Sequence, residues 1–323
     1  MMQFRTELFP ASEAIVINYN SRIFTIGSCF TEHISNTLRT LKFNVLSNPF
    51  GIVYNPVSIC NQLERIVKRK YFIADDLFLS EGVYRTFEAH SIMADYTQEE
   101  TLQKINTVID ESHIRLQNTT HVIITFGASI IHELSETKSI VANNHKQAAS
   151  TFQKRFLTII EIVEAYLMII FYLKKMNADI EIVFTISPVR HIKDGLTDNT
   201  ISKSLLFAAL HEILNKKDIF YFPSYELVID DLRDYRFFEK DLVHPNAMAI
   251  DYVWEKFKSW AISKDCYSTM ENISKINSAI QHRPFFNKTE QHKEFRKKMV
   301  EFTLQLQKKN PMLNFEKEIE FFT

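Results

Sequence analysis

Ser28, Asp241 and His244 are the residues whose types and order in this chain could perform nucleophilic chemistry. Ser28 stands in IFTIGSCF (23–30), where an apolar β-branched run ends in Gly27 and a helical pattern, TEHISNTLRTL, follows at once. That places the serine on a tight strand-to-helix turn at the carboxyl edge of a parallel sheet, where open α/β sheets bind ligands. Gly27 lets the backbone turn without a Cβ clash. The helix start that follows offers unpaired N–H groups to a developing oxyanion. Asp241 and His244 lie three residues apart in DLVHPN (241–246), before a helical pattern at 247–260, and Pro245 fixes the turn after the histidine. Together these give the order Ser, Asp, His. A neutral hydroxyl is a weak nucleophile and needs a base, and the base needs a carboxylate to orient it.

Cys29 is the rival nucleophile, since thiolates attack more readily than hydroxyls. Its place in the first helical turn suits a small apolar residue packed inward, so the expectation here is Ser28. Asp234, in LRDYR, reads as a helix-terminal carboxylate, and Asp241 could alternatively pair with Lys240 or Arg236.

The elements that must position these residues follow from hydrophobic periodicity. Five short β-like runs, at 23–26, 43–46, 121–126, 180–186 and 219–222, alternate with helical patterns near 30–41, 57–69, 97–117, 158–176 and 199–216. Thr97 and Thr158 each precede a glutamate by three residues, a capping-box signature. Such alternation predicts a parallel sheet covered on both faces. Residues 71–96 and 128–146 break the alternation and read as hairpin insertions that could wall a pocket. Domain boundaries are expected at 1–262 for the α/β domain and 263–323 for a helical extension. In the latter, Phe295, Met299, Phe302 and Leu306 form one stripe at helical spacing. That stripe would pack on the domain or join two copies in a homodimer.

Composition narrows the function class. The 323 residues carry a formal net charge of −1, which gives no reason to expect a nucleic acid or an anionic membrane as partner. The longest apolar run, AYLMIIFYL (165–173), is far short of the ~20 residues of a membrane span. The opening MMQFRTELFPASEA lacks the pattern of a signal peptide. Cys29, Cys60 and Cys266 are odd in number and fit reduced thiols, so a cytoplasmic location is expected. There is no HExxH, CxxC, P-loop or GxGxxG, so neither a metal nor a nucleotide cofactor is expected.

Several segments together resemble the GSCFA family, which belongs with the SGNH/GDSL-type hydrolases. They are GSCF (27–30), FNVLSNPFGIVYNP (43–56), ITFG (124–127), VANNHK (141–146), SPVRHIKDG (187–195), SK (202–203), YFPSYE (221–226), DLRDYRFF (231–238), DLVHPN (241–246) and HRPFF (282–286). The resemblance runs in chain order from about Phe4 to past Phe286. It implies an SGNH-hydrolase-like, flavodoxin-like three-layer sandwich with a parallel five-stranded sheet, and the site at the sheet's switch point. It also implies oxyanion donors at Ser28, at Gly51 as the second element, and at Gly127 as the third. Three departures stand out: Thr31 replaces an alanine, Asn144 replaces a common cysteine, and no asparagine closely follows Gly127.

The expected activity is therefore a serine esterase that cleaves a small acyl ester, on a small molecule or a glycan, without a cofactor. His90, Asn143, His145, Arg190 and His191 fall near the predicted catalytic edge and are the expected substrate-binding residues. The same residues would serve an acyltransferase in which a hydroxyl replaces water, and a non-catalytic binding protein on this scaffold is the third reading.

Overall fold

The computed structural model describes residues 5–10, 15–214, 216–286 and 289–323. Phe4, where the resemblance starts, and most of the opening stretch lie outside them. Five parallel strands form the central sheet: β1 (Arg22–Gly27), β2 (Asn44–Ser47), β5 (His121–Phe126), β9 (Glu181–Ile186) and β10 (Ile219–Tyr221). Their spatial order is β10-β9-β5-β1-β2. Numbered along the chain, that is the 2-1-3-4-5 order of flavodoxin-like sheets, with its switch point between the first and third strands. The α/β three-layer expectation is met.

Side chains alternate between the two faces along each strand, as a pleated backbone requires. Phe24, Val122, Ile124, Ile182 and Phe184 face one apolar layer, closed by α2 (Pro56–Lys68), α3 (Gln98–Gln117), α4 (Ile159–Met176) and α5 (Leu196–His211). Ile23, Ile123 and Val183 face the other, closed by α1 (Cys29–Thr40), α7 (Ala247–Ala261) and α8 (Tyr267–Gln281). Between α5 and α7, a short turn, α6 (Ser224–Glu226), runs into a π-helical turn at Leu227–Asp231. The helix starts behave as their sequences ask. Thr158 accepts from the Glu161 N–H while the Glu161 carboxylate accepts from the Thr158 N–H at 2.8 Å, a complete capping box. Thr97 caps α3 through the Glu100 N–H.

The apolar run inside α4 buries only one face. Ile162, Tyr166, Ile169 and Leu173 pack inward, while Leu167, Met168 and Phe171 remain exposed. Among the described residues no helix is long and apolar enough to cross a membrane.

Both insertions are hairpins. The first is β3 (Phe78–Ser80) and β4 (Val83–Arg85). The second forms a separate antiparallel sheet of β6 (Ile130–Leu134), β7 (Ile140–Val141) and β8 (Phe152–Phe156). The tail adds α9 (Glu290–Lys309) and α10 (Glu316–Phe322). Leu306, Leu313, Phe315 and Phe322 share one buried layer with α1, α7 and α8; of the expected stripe, Met299 and Phe302 pack against that layer beside Leu306, while Phe295 is exposed.

The closest backbone approach is at the end of β1. Gly27 lies opposite Thr125 of β5, and its φ is +139°. A Cβ built on Gly27 would stand 2.1 Å from the Thr125 carbonyl oxygen. Neither the backbone angle nor the neighbour can adjust without opening the β1–β5 ladder. Gly27→Ala should therefore destabilise the fold by about 3 kcal/mol or more, measured as a fall in the urea midpoint; a loss below about 1 kcal/mol would mean that the strand end relaxes freely.

Candidate active site

At the carboxyl ends of β1, β5 and β9 the structure opens a cavity of about 560 Å3. Cys29 lines it from the start of α1, Ala128 from just past β5, and Val189, Arg190 and His191 from the loop after β9. Asp241, Val243 and His244 close the rim. The inner wall is apolar, with Ile130, Ile131 and Val141 from the second hairpin sheet. That insertion walls the cavity as expected, whereas no residue of 71–96 lines it.

The D-x-x-H loop folds tightly enough to join its ends. Asp241 Oδ1 accepts the N–H groups of Val243 (2.9 Å) and His244 (3.0 Å). Its Oδ2 stands 2.6 Å from His244 Nδ1. The His244 N–H, its ring and the Val243 N–H hold the Asp241 carboxyl down at about 2. An ionised carboxylate only accepts, so Nδ1 carries a proton, and in the neutral ring the lone pair is on Nε2. Both side chains are about half exposed. Asp234 is indeed a helix-terminal group, accepting from the Arg236 N–H.

Ser28 does not join them. It is 1% exposed, its Oγ is buried without a hydrogen-bond partner, and it does not line the cavity. Its N–H donates to the Thr125 carbonyl at 3.1 Å. The next residue, Cys29, lines the cavity instead and is half-buried. Burial pushes the Cys29 thiol up, and the Phe30 N–H, Lys203 and its own N–H offset only part of that rise. The sequence expectation that Cys29 packs as an inert apolar residue is corrected on this point.

The expected oxyanion donors are also engaged. Besides the N–H of Ser28, that of Gly51 donates to Asn48 O (2.7 Å), and that of Gly127 to Tyr54 O (2.7 Å). Gly51 serves packing: a Cβ there would meet the His90 side chain at 2.4 Å. Asn48 and Asn55 are occupied too, Asn48 by the Gly27 N–H and Asn55 as the cap of α2. Ser28 offers α1 no side-chain cap, so the N–H groups of Cys29 and Phe30 are the donors that face the thiol.

Of the five expected substrate-binding residues, Arg190 and His191 line the cavity and three do not. His90 Nδ1 accepts from the Ile92 N–H, capping a short turn. Asn143 accepts from the His145 N–H. His145 is buried, with Nε2 at 2.8 Å from the Thr86 carbonyl and Nδ1 at 3.0 Å from Ser91 Oγ, and burial keeps its imidazole below the usual range. Of these three, His145 ties the two insertions together. His191 is held down at about 4, first by burial and then by Lys203, so its ring is neutral near pH 7, edge-on to Tyr54. Sequence reasoning gave no role to Tyr54, His132 and Lys203, although Tyr54 and Lys203 stand in FNVLSNPFGIVYNP and SK, two segments that carry the resemblance. Among the described residues no cluster of His, Cys, Asp and Glu could hold a metal.

Residues 22–257 match the model of the GSCFA family, and residues 273–323 match that of the GSCFA domain protein, C-terminal domain. No curated protein matches the chain. Among solved structures it is similar to a carbohydrate esterase family 3 from Talaromyces cellulolyticus, with a TM-score of 0.37 and 5% identity over 78% of this chain and 99% of that one. It is also similar to an acetyl xylan esterase (Est2A) from the rumen bacterium Butyrivibrio proteoclasticus, with a TM-score of 0.39 and 10% identity over 76% of this chain and 64% of that one. Likeness of this degree carries nothing about substrate or mechanism.

The corrected roles can be checked at His145. His145→Ala leaves the Thr86 carbonyl without its partner and should cost about 1–3 kcal/mol of stability, read as a fall in Tm, with catalytic constants within a few-fold of the parent. A collapse of activity at unchanged Tm would return His145 to the substrate site.

Proposed function

We propose that this chain, which belongs to the GSCFA family, is an acyl-ester hydrolase whose nucleophile is Cys29 and whose base is His244, oriented by Asp241. The observation that carries this is the 2.6 Å contact between Asp241 and His244 in the lining of a cavity that Cys29 also lines. In this reading His244 Nε2 takes the thiol proton as sulfur attacks the ester carbonyl carbon. The carbonyl oxygen becomes an oxyanion facing the Cys29 and Phe30 N–H groups, where each donor is worth about 3 kcal/mol in the transition state. The alcohol leaves with the proton from His244. Water, deprotonated by the same nitrogen, then attacks the acyl-thioester, releasing the acid and restoring the thiol.

The wall of Ile130, Ile131, Val141 and Val189 suits a short acyl group, and Arg190 and Lys193 at the polar side suit a hydrophilic carrier. The engaged N–H groups of Ser28, Gly51 and Gly127 favour a second reading, a binding protein without turnover.

Cys29→Ala should abolish hydrolysis of p-nitrophenyl acetate and block labelling by iodoacetamide at that peptide, while Ser28→Ala should cost far less. Hydrolysis that survives Cys29→Ala and disappears in Ser28→Ala would reverse the assignment, and absence of thiol-dependent turnover on acetate, butyrate and acetylated sugars would favour the binding reading.

His244→Ala should lower kcat by two orders of magnitude or more, and Asp241→Asn by a similar or smaller factor. Because the two act as a unit, the double variant should be little worse than His244→Ala alone; losses that multiply would separate them.

A further inference from the structure

Lys203 lies on α5, is 2% exposed, and is held by the carbonyls of Gly127 and Ser187, which precede Ala128 and Val189 of the lining that Cys29 shares. Its Nζ donates to two main-chain oxygens, Gly127 O and Ser187 O, each at 2.6 Å. These carbonyls follow the ends of β5 and β9, at the sheet edge where the cavity opens. Among the described residues no carboxylate pairs with it, and the Tyr225 ring is 6.0 Å from its nitrogen. An ammonium has three donors, and two are used. A buried cation with only neutral partners is costly unless an anion forms nearby.

Among acidic groups, Cys29 pushes Lys203 up and Lys203 pushes Cys29 down, in each case against a larger opposing effect of burial. From the loop after β9, the His191 imidazole feels Lys203 as well and is kept neutral. From α6, the Tyr225 phenol is a neutral neighbour, pushed up by burial. Burial brings Lys203 itself down to about 7, so its proton is exchangeable in the neutral range.

We infer that Lys203 is the counter-charge of the Cys29 thiolate, a positioning residue that lets a buried sulfur carry negative charge beside the α1 N-terminus. This rests on the assignment of Cys29 to the reaction, and it adds the group that makes such a thiol usable. When the thiol proton leaves for His244, the net charge under the cavity goes from +1 to zero if Lys203 is an ammonium. Without Lys203 it would go from zero to −1 in a desolvated place. By linkage, the ammonium lowers the thiol's proton affinity and the thiolate raises the amine's by the same factor. A lysine that merely pegs the Gly127 and Ser187 carbonyls would not touch the thiol's titration.

The test uses the full chain and no turnover. Iodoacetamide alkylation of the Cys29 peptide, resolved by mass from those of Cys60 and Cys266, is followed between about pH 5 and 10. Lys203→Met should move the Cys29 midpoint up by about one unit or more, so alkylation near pH 7 slows about tenfold. Lys203→Arg, which keeps the charge, should recover most of that rate. In the reciprocal arm, Cys29→Ser should lower the Nζ titration midpoint of Lys203, read by lysine NMR. An unmoved Cys29 profile in folded Lys203→Met overturns the inference. If Lys203→Met does not fold, an unmoved Lys203 midpoint in Cys29→Ser overturns it instead. Neither readout needs an ester, so loss of the esterase reading would leave this result standing, and the reverse.

Discussion

One carbonyl oxygen, that of Thr125 in the middle of the sheet, decides what the catalytic edge presents. It occupies the space that a Cβ on Gly27 would need, and it accepts the Ser28 N–H at 3.1 Å. The first effect forces the left-handed side of the backbone map on Gly27; the second ties the following residue to the neighbouring strand. Together they draw Ser28 under the turn and make Cys29, which lines the cavity, the first helical residue. Asn48 completes the clamp by accepting the Gly27 N–H and donating to Glu32 on α1. A turn fixed from three sides in this way leaves little freedom in which side chain it displays.

Charge around the cavity is divided by depth. At the rim, Asp241 and His244 are half exposed, and the carboxylate is ionised because three protein groups donate to it. At the floor, desolvation governs: His191 is neutral, Cys29 is pushed up and Lys203 is pushed down. Asp241 and His244 thus sit in a wetter medium than Cys29 and Lys203. His145 does not line the cavity and is buried between the insertions, with its ring against the Thr86 carbonyl and Ser91 Oγ.

Much of this was legible in the chain. Strands and helices of the α/β body fall within a few residues of their periodic patterns because alternation of period 2 and 3.6 reports burial on a sheet and on a helix. The D-x-x-H contact was legible because three residues and a proline leave the loop few ways to fold. What the sequence could not settle was direction. Ser28 and Cys29 are adjacent, and which of them faces outward depends on the Thr125 carbonyl, a partner nearly a hundred residues away. The same holds for Gly51 and Gly127, whose N–H groups are claimed by carbonyls of neighbouring turns. Lys203 looks like one more helical lysine until the ends of β5 and β9 are brought over it. His90, Asn143 and His145 were misplaced because proximity to a predicted edge says nothing about which side of an insertion a residue takes.

The inner wall of the cavity belongs to a different sheet from the one that carries the reactive edge. Ile130, Ile131 and Val141 stand on β6 and β7, whose hydrogen bonds run to each other and to β8 and not to the parallel strands. That sheet is attached to the body at several points: the Ser129 N–H donates to Ser202 Oγ at 2.7 Å, Lys154 pairs with Asp194, Arg155 pairs with Glu161 and Ile131 packs in the main core. Two different sheets thus line one cavity. Residues on the hairpin can change size or polarity without disturbing the β1–β5 ladder, so chains with the same turn at Gly27 are free to diverge in what they accept.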